Sequence, residues 1–151
     1  MALAALIVSV LALLVAAASL VWQVTSWRRS GPRVKVETAN SFPVFDRLDG
    51  GRDLGDHHVE VKAYNRGRAP VTLTAWGLQL PGGRTAISRG TAWSAPMPHR
   101  LEPGAEAGWH LPADEVRAVC AEQGVTFRQV RGFVALAGGK RVRAGKPVPL
   151  G

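Results

Sequence analysis

The sequence predicts a mainly β protein: an N-terminal transmembrane helix followed by an antiparallel β-sandwich that carries one short helix. Three observations carry this. Residues 1–27 hold no charged side chain, and every Lys, Arg, Asp and Glu of the 151-residue chain comes after them. Beyond residue 33 the apolar residues recur with period two in short runs between Gly/Pro turns, the pattern of half-buried strands. One stretch, 112–123, switches to helical spacing. The chain therefore divides into an anchor with its basic flank, 1–30, and a β-sandwich domain, 31–151.

The run 2–22 is broken only by Ser9 and Ser19. As a helix it spans about 31 Å, against about 30 Å of bilayer hydrocarbon. Trp22 and Trp27 then fall at headgroup depth, where an amphipathic indole is favoured. Arg28 and Arg29 end the insertion, because charge in hydrocarbon is costly. Gly31 and Pro32 break the helix. A cleaved signal peptide is the competing reading, since Ala16-Ala17-Ala18 satisfies the small-residue rule. No Lys or Arg precedes the run, however, and it continues to Trp22. A buried soluble helix is the third reading.

Arg28, Arg29, Arg33 and Lys35 follow the run with no acid before Glu37. The positive-inside rule then leaves a short N-terminus outside and the domain on the cytoplasmic side of the cell membrane, in a single pass. The lone Cys120 suits a reducing compartment and excludes an intrachain disulfide or a Cys-based zinc site. Ala2, Ala5, Ser9, Ala12, Ala16 and Ser19 share one helix seam, which would let a weak homodimer form through the membrane helix.

In the domain, Arg33-Val34-Lys35-Val36-Glu37 is a strand with its valines on one face. The loop 40–56 follows, with a short strand at 42–45. His58-Val59-Glu60-Val61-Lys62-Ala63-Tyr64 buries Val59, Val61 and Ala63. A turn at 65–70 leads to Val71-Thr72-Leu73-Thr74-Ala75. The phase then shifts toward Leu78 and Leu80, which predicts a β-bulge at Trp76-Gly77. A strand is expected near 85–87, loop at 96–98 and a turn at 101–104. The next strand buries Ala105, Ala107, Trp109 and Leu111. In the helix at 112–123, Asp114 and Glu115 favour the first turn, Val116, Val119 and Cys120 form the apolar face, and Gly124 is the stop. The last hairpin runs from 126 to 137 with Val130, Val134 and Leu136 in phase. It turns on Gly138-Gly139 and returns over 140–143 with Val142 inward.

The segments WRRSGPRVKV, VKAYNRGRAPVTLTAWGLQLPGG, PHRLEPGAEAGWHLPADEVRA and VRGFVALAGGKRVRA resemble a group of small membrane-anchored proteins of high-GC actinobacteria. The turns N-x-G-x-x-P-V-T and L-E-P-G-x-E also resemble those of many immunoglobulin-like sandwiches. The resemblance implies an immunoglobulin-like β-sandwich. It implies no activity, and no functional residue is carried over.

The densest set of metal-ligand types is Asp53, Asp56, His57, His58 and Glu60. Donors on alternate strand positions lie about 7 Å apart, too far for one ion without a bend. His99 and His110 have no acid or nucleophile near them in sequence. Cys120 sits on an apolar helix face. Ser88 and Ser94 lack the strand-to-helix elbow of a hydrolase, and the Gly-Gly pairs lack a P-loop pattern.

These features point to a non-enzymatic module for protein interaction or scaffolding at the lipid bilayer, with no cofactor and an unidentified protein partner. The alternative is a basic domain that senses anionic lipid or nucleic acid through Arg33, Lys35, Lys140, Arg141 and Arg143. Nucleic acid is the weaker form of that alternative, because the one domain helix is net acidic. A metal-binding or hydrolytic domain using the 40–58 loop is the remaining reading.

Overall fold

The computed structural model describes residues 2–46, 51–86 and 91–150; the side chains of 2, 4 and 27–29 are outside that description. Helix α1 (Ala2–Arg29) runs past the apolar stretch before Gly31 and Pro32 end it. Within its segment Ala5–Ser26 an 18-residue window reaches a mean hydropathy of 2.6, and none of that window is buried against the rest of the chain. That is long and apolar enough to cross a membrane. Two of its hydroxyls bond within the helix: Ser9 Oγ donates to Ala5 O (2.9 Å) and Thr25 Oγ1 to Val21 O (2.8 Å).

The strands are β1 (Val34–Ser41), β2 (Val44–Asp46), β3 (Arg52–Leu54), β4 (His58–Asn65), β5 (Val71–Gln79), β6 (Thr85–Ala86), β7 (His99–Leu101), β8 (Glu106–Pro112), β9 (Arg131–Leu136) and β10 (Arg141–Arg143). Two antiparallel sheets hold most of them. One has the order β1-β4-β8; the other has β10-β9-β5-β6, with β7 also paired to β5. The hairpin β2-β3 pairs only with itself.

The two sheets share one core. Val36, Val59, Val61, Ala63, Trp109 and Leu111 come from the first sheet, and Leu73, Trp76, Leu78 and Val134 from the second. The Trp76 and Trp109 rings stack across it, 6.1 Å apart. Each large apolar side chain so buried contributes about 1.5–3 kcal/mol. Gly132 lies where the two sheets pack closely against each other. A Cβ there would be 2.6 Å from Thr38 Cγ2 and 3.1 Å from Val61. Helix α2 (Ala113–Gln123) connects β8 toward β9, burying Val116 and Cys120. Gly124 ends it in the left-handed conformation (φ 62°).

The alternation in β4 and β8 is as the sequence predicts, and several details differ. The bulge of β5 falls between Leu73 and Ala75, not at Trp76-Gly77. The phase therefore shifts earlier, and Trp76 rather than Ala75 enters the core (5% exposed). A large indole gains far more from burial than a methyl group, which decides where the extra residue sits. The stretch 126–130 is not strand. Thr126 and Gln129 form a reciprocal capping box around the 3-10 turn Phe127–Gln129, which satisfies backbone groups locally. The last turn is three residues, 137–139, with only Gly139 at positive φ (79°). β1 extends to Ser41, and the expected strand at 42–45 is one half of the β2-β3 hairpin. His99 is in strand β7 rather than loop, held by pairing with Leu73. Of the strand expected at 85–87, Thr85 and Ala86 form β6; Ile87 lies outside the described residues.

Both edges of the first sheet are covered. Along β8, Ala95 N donates to Gly108 O (3.3 Å), Ser94 Oγ accepts from His110 N (3.1 Å), and Trp109 Nε1 donates to Ala95 O (2.8 Å). Beside β1, Thr38 Oγ1 and Asn40 Nδ2 donate to Pro147 O and Pro149 O of the C-terminal segment. That segment buries Ala144, Val148 and Leu150. Such covers block edge-to-edge pairing.

Candidate functional site

The strand registers define two ends of the β domain. At the near end, Val34 pairs with Asn65, and the chain arrives from α1. At the far end, Ser41 pairs with His58, and His58 with Pro112.

Asn65 organises the near end and is 1% exposed. Its Nδ2 donates to Ala69 O (2.8 Å) and Leu101 O (3.1 Å), while its Oδ1 accepts from Gly67 N (3.0 Å) and Arg33 N (3.4 Å). One amide thus ties the start of β1, the β4-β5 turn and β7 together. Arg66 N donates to Arg33 O (2.8 Å). Gly67 must be glycine, because a Cβ there would collide with Arg33 N and Gly31 O.

The outer face of the first sheet carries His58, Glu60 and Lys62 from β4, with Glu106 and His110 from β8. Register places Glu60 opposite His110 and Lys62 opposite Gly108. Glu60 Oε1 lies 3.5 Å from Lys62 Nζ and 3.7 Å from His110 Nε2. The space above Gly108 is filled by that carboxylate, 2.6 Å from where a Cβ would stand. Burial opposes the Lys62 charge, but Glu60, Tyr64 and Glu106 outweigh it and hold its pKa above the usual value. His110 goes the other way: burial, with the help of His58 and Lys62, lowers its pKa against the pull of Glu60. Among the described residues, His110 Nδ1 is a buried side-chain polar atom without a hydrogen-bond partner.

Trp93 leans over this face from the loop after β6. Its ring is edge-on to His58 (5.5 Å), His110 (6.4 Å) and Phe45 (6.2 Å). Phe42 stacks on His57 at 4.6 Å, and His57 Nε2 meets Asn40 Oδ1 at 3.1 Å. Phe42, Val44, Phe45, Leu54 and Trp93 are nevertheless 48–75% exposed. Val44 and Leu54 stand opposite each other on one face of the hairpin, and Phe45 is on the other face beside Trp93; exposed apolar residues gathered in this way make the hairpin a candidate surface.

The residues singled out from sequence are dispersed. Trp22 is exposed on α1 (73%); Trp27, Arg28 and Arg29 have side chains outside the description. Arg33, Lys35, Lys140 and Arg141 belong to the near end, whereas Arg143 sits opposite Phe133 and lines a hollow with Gln79, Pro81 and Arg131 toward the far end. Asp56, His57, His58 and Glu60 do not converge. His57 faces Asn40, His58 Nδ1 meets Asp56 O (2.6 Å), and Glu60 faces β8. Among the described residues no three of His, Cys, Asp and Glu are placed to hold a metal. Cys120 is buried, and burial pushes its thiol pKa up, away from the reactive thiolate. Ser94 Oγ is taken up by His110 N and Thr91 N; Ser88 lies outside the described residues.

Sequence reasoning missed Trp93, Phe45 and Leu54. The available signal was large apolar residues in otherwise turn-rich segments. It also missed the Glu60-His110 pair, which only the β4-β8 register brings together. No protein-family model matches the chain, and comparison with curated proteins finds no match.

Proposed function

We propose that the chain is a single-pass protein of the cell membrane that presents an immunoglobulin-like β-sandwich on its cytoplasmic side. In this reading it is a non-enzymatic module for protein contact, a relative of the actinobacterial membrane-anchored group. Strand order supports the immunoglobulin-like assignment. Taken in chain order, β1, β4 and β8 correspond to strands A, B and E, and β5, β9 and β10 to C, F and G. The small-residue seam of α1 supports weak self-association through the membrane helix.

The observation that carries the interaction reading is the exposed aromatic pair Phe45 and Trp93, rings 6.2 Å apart, at the far hairpin. It lies at the end of the domain away from α1, where a partner meets no bilayer. A photoreactive residue at Trp93 of the full chain, activated in cells, should give a discrete adduct that Phe45→Ser removes. A probe at Arg128 should give none. Equal labelling from both positions would defeat the reading.

A further inference from the structure

We infer that the near end of the β domain is a contact surface for the anionic lipid headgroups of the bilayer that α1 crosses. The inference rests on the anchored reading above and goes beyond it by fixing which end faces the membrane and through which residues.

The tether comes first. The helix ends at Arg29 and β1 begins at Val34. Four intervening residues reach at most about 14 Å when extended. Part of that reach is already committed, because Arg33 is bound on both sides: its N–H donates to Asn65 Oδ1 and its carbonyl accepts from Arg66 N. The near end therefore stays close to the surface, at a distance comparable with the Debye length of about 8 Å at physiological salt. A tether this short makes contact intramolecular, so weak attraction is enough to populate it.

Charge comes second. Arg66 and Arg68 occupy the β4-β5 turn. Lys140 closes the last hairpin turn, and Arg141 follows it with its guanidinium 5.4 Å over the Phe133 ring. Ala137 N donates to Thr72 O (2.9 Å) and Leu136 pairs with Leu73, which brings that turn to the start of β5, at the same end. Arg33 and Lys35 open β1, and Arg100 on β7 pairs with Thr72. All seven side chains are exposed. The nearby carboxylates are matched locally: Glu37 with Lys35 (2.5 Å), Glu102 with Arg100 (2.7 Å), and Glu106 with Lys62 (3.9 Å). Arg33, Arg66, Arg68, Lys140 and Arg141 have no carboxylate within ion-pair distance among the described residues. Two of the five, Arg66 and Arg68, are neighbours of Gly67 in a turn whose shape Asn65 holds, so they are presented on a fixed scaffold. The far end is mixed in charge: Asp46 pairs with Arg52 and Asp114 with Arg117, and Arg84, Arg131 and Arg143 lie there among Asp53, Asp56 and Glu115. What sets the near end apart is that its bases outnumber its carboxylates and that it is the tethered end. Anionic headgroups are the matching surface, attracting each Lys or Arg that comes near.

The test uses the full chain reconstituted in bilayers with the same lipids in both leaflets, so the sidedness of insertion does not matter. A donor dye is placed at Ala137→Cys, or at Leu54→Cys for the far end, in a Cys120→Ala background shown to be folded by circular dichroism. The acceptor is a headgroup-labelled lipid. Energy transfer from position 137 should rise when phosphatidylglycerol is added to phosphatidylcholine, with no matching rise from position 54. Salt near 1 M, where the Debye length is about 3 Å, should abolish the rise. Arg68→Glu with Lys140→Glu should abolish it as well, Arg68→Lys should keep it, and Arg128→Glu with Arg143→Glu should leave it intact.

Equal transfer in the two bilayers overturns the inference, and so does an equal loss from both charge-reversed pairs. Capture of a DNA duplex by the near end over neutral lipid, without a response to phosphatidylglycerol, overturns it in favour of nucleic acid. Failure of the anchored reading looks different: alkaline carbonate would strip the protein from the vesicles before any dye is read.

Discussion

At the near end of the domain, one buried amide holds three chain segments by four hydrogen bonds, and the exposed side chains around it are arginines and lysines. At the far end, a hairpin paired only with itself exposes Phe42, Val44, Phe45 and Leu54, and the loop above it exposes Trp93. The difference teaches that the two ends are under different constraints. The near end keeps its geometry through Asn65, at the point where the chain arrives from α1. The far hairpin, unlike the strands beneath it, leaves most of its apolar surface outside the core.

The largest expected effect follows directly. Asn65→Ala should cost about 2–4 kcal/mol, because Gly67 N and the Ala69 and Leu101 carbonyls lose their partner in a dry site. Phe45→Ala at the other end should cost under about 1 kcal/mol. Denaturant unfolding of the full chain in detergent, followed by tryptophan fluorescence, measures both. Equal costs would erase the contrast between a structural end and a presenting end.

Next in size is a glycine pair within the near end. Gly67→Ala should destabilise by about 1–3 kcal/mol, since its Cβ meets backbone that cannot give way cheaply. Gly31→Ala, with nothing within 4 Å of the added carbon, should be close to neutral. A harmless Gly67→Ala would mean that the junction is looser than its hydrogen bonds indicate.

A smaller effect is pH-dependent and belongs to the face beneath Trp93. Burial lowers the pKa of His110 below its ordinary 6.5, so the unfolded chain binds more protons below that value. The contribution of His110 is then fully present above about pH 6.5 and is lost as pH falls toward the folded pKa. Unfolding midpoints should decline between about pH 7.5 and 5.5, and His110→Gln should flatten part of that decline. Identical slopes in the two proteins would remove His110 as the source.

The smallest effect on the domain comes from α1. Ala12→Leu should leave domain unfolding unchanged and abolish any self-association signal in a membrane two-hybrid assay, while Leu13→Ala should preserve it. A native signal indifferent to Ala12→Leu would reduce α1 to a simple anchor.

The apolar helix, the inward set of β4 and β8, the face of α2 and its glycine stop are legible in the residues alone. Each rests on a local rule: twenty-odd apolar residues match a bilayer, period two selects a strand face, and only glycine takes the left-handed cap at little cost. These rules need no knowledge of what packs against what. The bulge position needed the core, because Thr74 leaves the register so that Trp76 can meet Trp109. β7 needed its partner, since His99-Arg100-Leu101 has too few residues to declare a strand without β5 beside it. The sites were the least legible. Glu60 and His110 stand fifty residues apart and meet only through the β4-β8 register, and Arg66, Arg68, Lys140 and Arg141 form one pole only because two turns close at the same end of the strands. Sequence by itself determined the buried faces of the regular strands and where the chain is apolar enough to span a bilayer, because both follow from short-range pattern; Trp76 and Asn65 entered the interior through contacts that no such pattern shows. Only the tertiary structure decided which exposed residues share a surface, because that depends on strand register and sheet order, which no local pattern encodes.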